Sequence, residues 1–192
     1  MTMIVPEVDY GPLASLIGNW AGDSGMDVSP EPDGEDHSPY YETMMFEACG
    51  DVDNAETQEL IVLRYHLVVA RKKNDKVFHN ESGYLTWCQE SGDIVQSFVI
   101  PRGVGVVAGG KAEQNSQGVV IEVSASLDDD NYGIVQGPFM RDNASTQSFT
   151  RRIEVSGNEL SYKQTTVVDI YGRVFDHTDE NTLTKQYGVI HG

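Results

Sequence analysis

Long apolar runs are missing from this chain. Nowhere do 18 apolar residues stand together, so no membrane-spanning helix is expected. Cysteine is scarce: Cys49 and Cys88 fall in different segments and form no CxxC pair. Free thiols in a reducing compartment are therefore expected rather than a structural disulfide. Basic residues are few, 13 Lys and Arg against 30 Asp and Glu, for a net charge of −17. Nucleic acid and anionic lipid would repel such a chain, so neither is an expected partner. The first eleven residues, MTMIVPEVDYG, have no basic region and no long apolar run. No signal peptide is expected, and the cytoplasm is the location left by elimination.

Catalytic signatures are equally sparse. There is no GxSxG elbow, no HExxH and no HxH, so neither a serine hydrolase nor a mononuclear zinc enzyme is supported. The glycine-rich GVGVVAGG at 103–110 is not followed by a helical pattern. It therefore lacks the context of a phosphate-binding loop and reads as close backbone packing or a barrel corner.

What is present is β-patterning. Apart from one or two helical turns at 12–17, no segment repeats apolar residues at i, i+3 and i+4. Strands are expected at 18–24, 40–49, 60–71, 77–87, 94–100, 104–108, 119–127, 132–139, 144–155, 160–170 and 174–187. Local turns such as KKNDK at 72–76 separate them. The acidic stretches 27–36 and 50–57 read as loops. This pattern predicts an all-β fold: one domain over 1–192, an antiparallel up-and-down barrel of the lipocalin or calycin kind, with residues 1–11 as an arm. Trp20, set among glycines in LIGNWAGDSG, is expected to plug one end.

Five histidines are the candidate ligands. His37 and His191 read as solvent-exposed. His66 shares a strand face with Arg64 and is expected to line the interior as a hydrogen-bonded histidine. His79 opens HNESGY at a strand end. His177 is in phase with Asp179, Asn181 and Leu183, a polar face that points either to water or into a ligand-holding interior.

Taken in order, several short motifs resemble the nitrobindins, haem-binding barrels akin in architecture to fatty-acid-binding proteins. LxGxWxG matches at Leu16, Gly18, Trp20 and Gly22, and HxESGY at His79, Glu81, Ser82, Gly83 and Tyr84. IPRGVGVVAGG follows, and LSY at 160–162 leads to a last strand with a histidine. The resemblance implies a barrel of about ten strands and haem b held at the mouth by one histidine of the last strand, here His177. It also implies action on nitric oxide or peroxynitrite, the latter as a peroxynitrite isomerase. Two alternatives stay open. One is a non-haem carrier of an apolar or carboxylate-bearing molecule, with Arg64, His66 and His79 as ligand-binding candidates. The other is a barrel that has lost haem. Whether the chain is an enzyme, and whether it forms a homodimer, is left open. Since a one-residue shift turns a strand residue to the other face, the direction of His177 is the structural question.

Overall fold

The computed structural model describes residues 8–187. His191 and most of the expected arm lie outside them. After a 3-10 turn at Gly11–Leu16, eleven strands follow: β1 (Gly18–Glu31), β2 (Gly34–Ala55), β3 (Gln58–Arg71), β4 (Val77–Cys88), β5 (Asp93–Ile100), β6 (Val104–Asn115), β7 (Gly118–Ser126), β8 (Ile134–Gln136), β9 (Ala144–Ser156), β10 (Glu159–Ile170) and β11 (Arg173–Gln186). One short helix, α1 (Pro138–Asn143), lies between β8 and β9. All ladders between named strands are antiparallel, and β1 pairs with both β2 and β11 while β5 pairs with β6. Ten strands thus close into a barrel, the fold that the sequence pattern predicts with the strand number that the resemblance implies. Three-residue β8 lies outside this ring, on the free edge of β6. The Gln136 side chain bridges from it to β9, accepting from Thr146 N and donating to Thr146 O.

Several boundaries differ from expectation. The stretch read as a loop at 27–36 is the tip of a long hairpin, with β1 running to Glu31 and β2 starting at Gly34. Likewise β2 continues through the acidic segment to Ala55, because backbone pairing with β3 outweighs the low strand propensity of Asp and Asn. β6 passes straight through Gly109 and Gly110 to Asn115. A Cβ on Gly110 would sit 1.8 Å from the Glu122 carbonyl oxygen and one on Gly109 2.0 Å from the Tyr132 ring, so these glycines make room for a close strand and for a ring rather than ending the strand. The predicted strand at 132–139 yields only β8 before Pro138 opens α1.

Alternation fills the interior. Leu63, Tyr65, Leu67 and Val69 of β3 point inward, as do Val119, Ile121, Val123 and Ala125 of β7. One end is closed by the 3-10 turn, whose Leu13 and Leu16 are fully buried. Trp20 is fully buried beside them, its indole N–H donating to Leu16 O at 2.7 Å, with Lys185 Nζ 5.1 Å from the ring centroid. Trp20 is therefore the plug the sequence suggested. Trp20→Phe should cost about 1–2 kcal/mol by losing that bond and some buried area, read as a lower urea midpoint at unchanged slope.

Candidate functional site

The opposite end of the barrel is the mouth, and there the interior turns polar. On β11, strict alternation sends Leu183, Asn181, Asp179 and His177 to one inner face. Its ladder with β10 runs without a break from 159↔184 to 170↔173. On β1, alternation is interrupted. Both of its ladders shift register between Ala21 and Met26, and Asp23 and Ser24 lie in the exposed bulge. The bulge reverses parity: even-numbered Trp20 faces in below it, and odd-numbered Gly25 and Asp27 face in above it. Gly25 is required there, because a Cβ would meet the Tyr40 ring at 2.1 Å.

The consequence is that Asp27 and Asp179 stand directly opposite each other across the β1–β11 ladder. Facing like charges repel. His177 relieves them: its Nε2–H donates to Asp27 Oδ1 at 2.6 Å and lies 3.8 Å from Asp179 Oδ2. Ser29 Oγ donates to Asp27 Oδ2 at 3.1 Å, and Gln164 Nε2 to Asp179 Oδ2 at 3.4 Å. Burial works to raise the Asp27 pKa, yet the hydrogen bond and charge of His177 hold it below its usual value. Burial pushes Asp179 up to about 6, with His177 opposing and Asp27 adding to the rise. Burial disfavours charge on His177, but the Asp27 hydrogen bond and both carboxylates raise its pKa overall. The Asp27 side chain is 2% exposed and that of His177 31%, so the imidazole is the part that solvent reaches.

Below this group lies a fully enclosed ion pair. Arg151 of β9 grips Glu81 of β4 with both terminal nitrogens, at 2.7 and 3.0 Å. It also donates through Nε to Gln164 Oε1 at 2.9 Å, and its guanidinium lies 5.1 Å from the Phe149 ring centroid and 5.4 Å from that of Phe98. Tyr65 donates to Glu81 at 2.5 Å and accepts from Gln96 at 2.7 Å. Burial opposes the Glu81 charge, but Arg151 prevails and holds its pKa far below normal. Glu42 forms a second cluster, accepting from Tyr162 at 2.9 Å and from Asn181 at 3.1 Å. With no cation in direct contact, burial pushes its pKa up to about 7.

The residues singled out in the sequence separate into two sets. His177 faces inward at the mouth. His79 also faces inward, 30% exposed, with Nε2 3.3 Å from Glu81 Oε2. Arg64 and His66 do not join them, and the expectation that His66 lines the interior is corrected. Inward Leu63, Tyr65 and Leu67 leave the alternate positions pointing out. Arg64 pairs with Glu47 outside the barrel, and His66 Nε2 meets Asn80 Oδ1 at 3.1 Å. Both border an outer hollow of about 460 Å³ with Tyr84 and Val99. His37 is exposed beside Glu35. Cys49 and Cys88 are both free, one exposed and one buried. Asp27 and Arg151 were missed. Arg151 was discoverable, since Phe149, Ile153 and Val155 share its parity. Asp27 was not, since its face depends on the bulge.

A family model described as a THAP4-like, heme-binding beta-barrel domain matches residues 9–185. The chain belongs to this family. The nitrobindin-like resemblance read from the sequence is thereby borne out, with the coarse function of a small-ligand-binding barrel. Among solved structures, the crystal structure of Rv2717c from M. tuberculosis superposes with a TM-score of 0.69 at 21% identity, covering 93% of this chain and 100% of that one. At that identity the likeness bears on the fold alone. No curated protein matches the chain. Among the described residues, no helix is long and apolar enough to cross a membrane.

The mouth residues fit the group that the family description names. A metal-binding histidine commonly gives one ring nitrogen to a carboxylate and keeps the other for the metal, and His177 is tied to Asp27 in that manner. At the same end, Phe78 and Phe175 supply apolar faces, with the Arg71 and Arg173 guanidinium groups 4.1 and 5.0 Å from their ring centroids. Aromatic faces beside cations suit a flat apolar ring with carboxylate substituents.

Proposed function

We propose that this barrel binds haem b at its mouth through His177 and acts on a small reactive nitrogen species, nitric oxide or peroxynitrite, in the cytoplasm. The observation that carries this reading is the inward-facing, partly exposed imidazole of the last strand, anchored at one nitrogen by Asp27. Asp27 holds the ring orientation and keeps the proton on the nitrogen that faces it, which makes the other nitrogen a stronger donor. Phe78 and Phe175 would shield the bound group from water, and the Arg71 guanidinium would meet a propionate. Bound haem would supply a Lewis-acidic, redox-active iron. The Glu81–Arg151 pair makes no hydrogen bond to His177. It fills the barrel beneath the mouth and keeps the ligand there.

Hemin titration tests this. The expected result is a Soret shift that saturates at one equivalent and is abolished in His177→Ala. A spectrum that never shifts, or one that is unchanged in His177→Ala, removes the reading.

A further inference from the structure

We propose that Asp27, His177 and Asp179 also form a site for a bare divalent transition-metal ion, an alternative occupant of the mouth that excludes haem because a metal on Nε2 leaves the imidazole proton on Nδ1, the nitrogen that haem would need. The three groups offer one nitrogen and two oxygens, all within 4.8 Å of one another. From His177 Nε2, Asp27 Oδ1 is 2.6 Å and Asp179 Oδ2 is 3.8 Å away. Ligands of a first-row cation bound at ~2.1 Å stand about 3.0–3.4 Å apart. Small side-chain rotations therefore take the observed set into a coordinating one: the shorter gap opens and the longer one closes.

Two further observations point to a cation. The first is charge. Asp27 and Asp179 face each other in register within the barrel, and the buried guanidinium of Arg151 is committed to Glu81 and Gln164. Two carboxylates with a neutral imidazole balance a divalent ion. The second is the outer layer of support. Ser29 holds the far oxygen of Asp27, and Gln164, itself fixed by Arg151, holds Asp179. Hydrogen bonds of this kind orient ligating carboxylates. The mixed nitrogen and oxygen donors suit zinc, cobalt, manganese or ferrous iron better than calcium or magnesium. The site opens to the mouth on the side of His177 and Asp179, whose side chains are 31% and 19% exposed, so an ion can enter and keep a solvent ligand.

The test uses haem-free, chelator-treated full-length protein. Cobalt(II) is titrated with absorbance detection, then displaced by zinc(II). The expected result is saturation at one equivalent, with affinity at least about 10-fold weaker in Asp179→Asn and in Asp27→Asn. Circular dichroism checks both variants for folding. If Asp27→Asn does not fold, the more exposed Asp179→Asn decides the matter. Hemin is titrated separately. Asp179→Asn should keep the Soret shift of wild type, and saturating zinc should suppress it. No cobalt binding, or binding that Asp179→Asn leaves unchanged, overturns the proposal. Cobalt binding in a protein that gives no Soret shift upholds this site and removes the haem reading. The reverse pattern does the opposite.

Discussion

Arg151→Met destabilises the barrel by about 3–5 kcal/mol, the usual consequence of removing one partner of an enclosed ion pair. Both partners are almost wholly buried, with side-chain exposures of 3% for Arg151 and 1% for Glu81. Methionine roughly fills the space between Phe98 and Phe149, so loss of packing is a minor part of the change. What remains is the Glu81 carboxylate, stripped of two charge-assisted hydrogen bonds and sealed from water. Urea denaturation should show a lower midpoint at unchanged slope. The double variant Arg151→Met with Glu81→Gln should recover most of the loss, because it removes the stranded charge. If the single variant loses under 1 kcal/mol, the pair is not enclosed as described. In wild type, Glu81 also sets an acid limb. Its pKa is depressed in the fold, so its contribution is present above the ordinary carboxylate value and is lost as pH falls through the folded value.

Glu42→Gln should act in the opposite sense, and only at higher pH. Burial raises Glu42 from 4.5 to about 7. A raised folded pKa means that its contribution is fully present below pH 4.5 and is lost as pH rises through about 7. Keeping the charged form buried at pH 8 then costs about 3 kcal/mol. Glutamine carries no such penalty and can still accept one of the hydrogen bonds from Tyr162 and Asn181. Wild type and variant should unfold at similar temperatures at pH 4.5, with the variant several degrees more stable at pH 8. An equal difference at both pH values would show that Glu42 is not titrating in the fold. Asp179 adds to the difference, because its charge repels that of Glu42 and contributes to the rise.

Much of the architecture was legible because a barrel strand writes its two faces into alternate residues. Leu63, Tyr65 and Leu67 announce the inside of β3, and Trp20 beside Leu16 announces the closed end. The same rule read to its end would have put Arg64 and His66 outside, since an interior made by Leu63, Tyr65 and Leu67 leaves them no inward direction. The long hairpins were less legible. Acidic residues at 50–57 look like a loop, yet a strand edge pairs through its backbone whatever its side chains, and β3 was there to receive it.

For the mouth, the last strand named the histidine, and the unbroken β10–β11 register decided its direction. Continuous alternation from Leu183 back to His177 aims the imidazole inward, and β11 carries no bulge against β10. Asp27 was beyond the reach of any periodicity. Its direction is reversed by the bulge after Gly22, and that bulge is defined by the β2 and β11 registers on either side, which come from far along the chain. Local patterning therefore determined the barrel and its plug, and singled out His177 without its direction, because each follows from side chains alternating along one strand. Only the tertiary structure decided that two carboxylates meet across that histidine, because pairing register is a property of neighbouring strands.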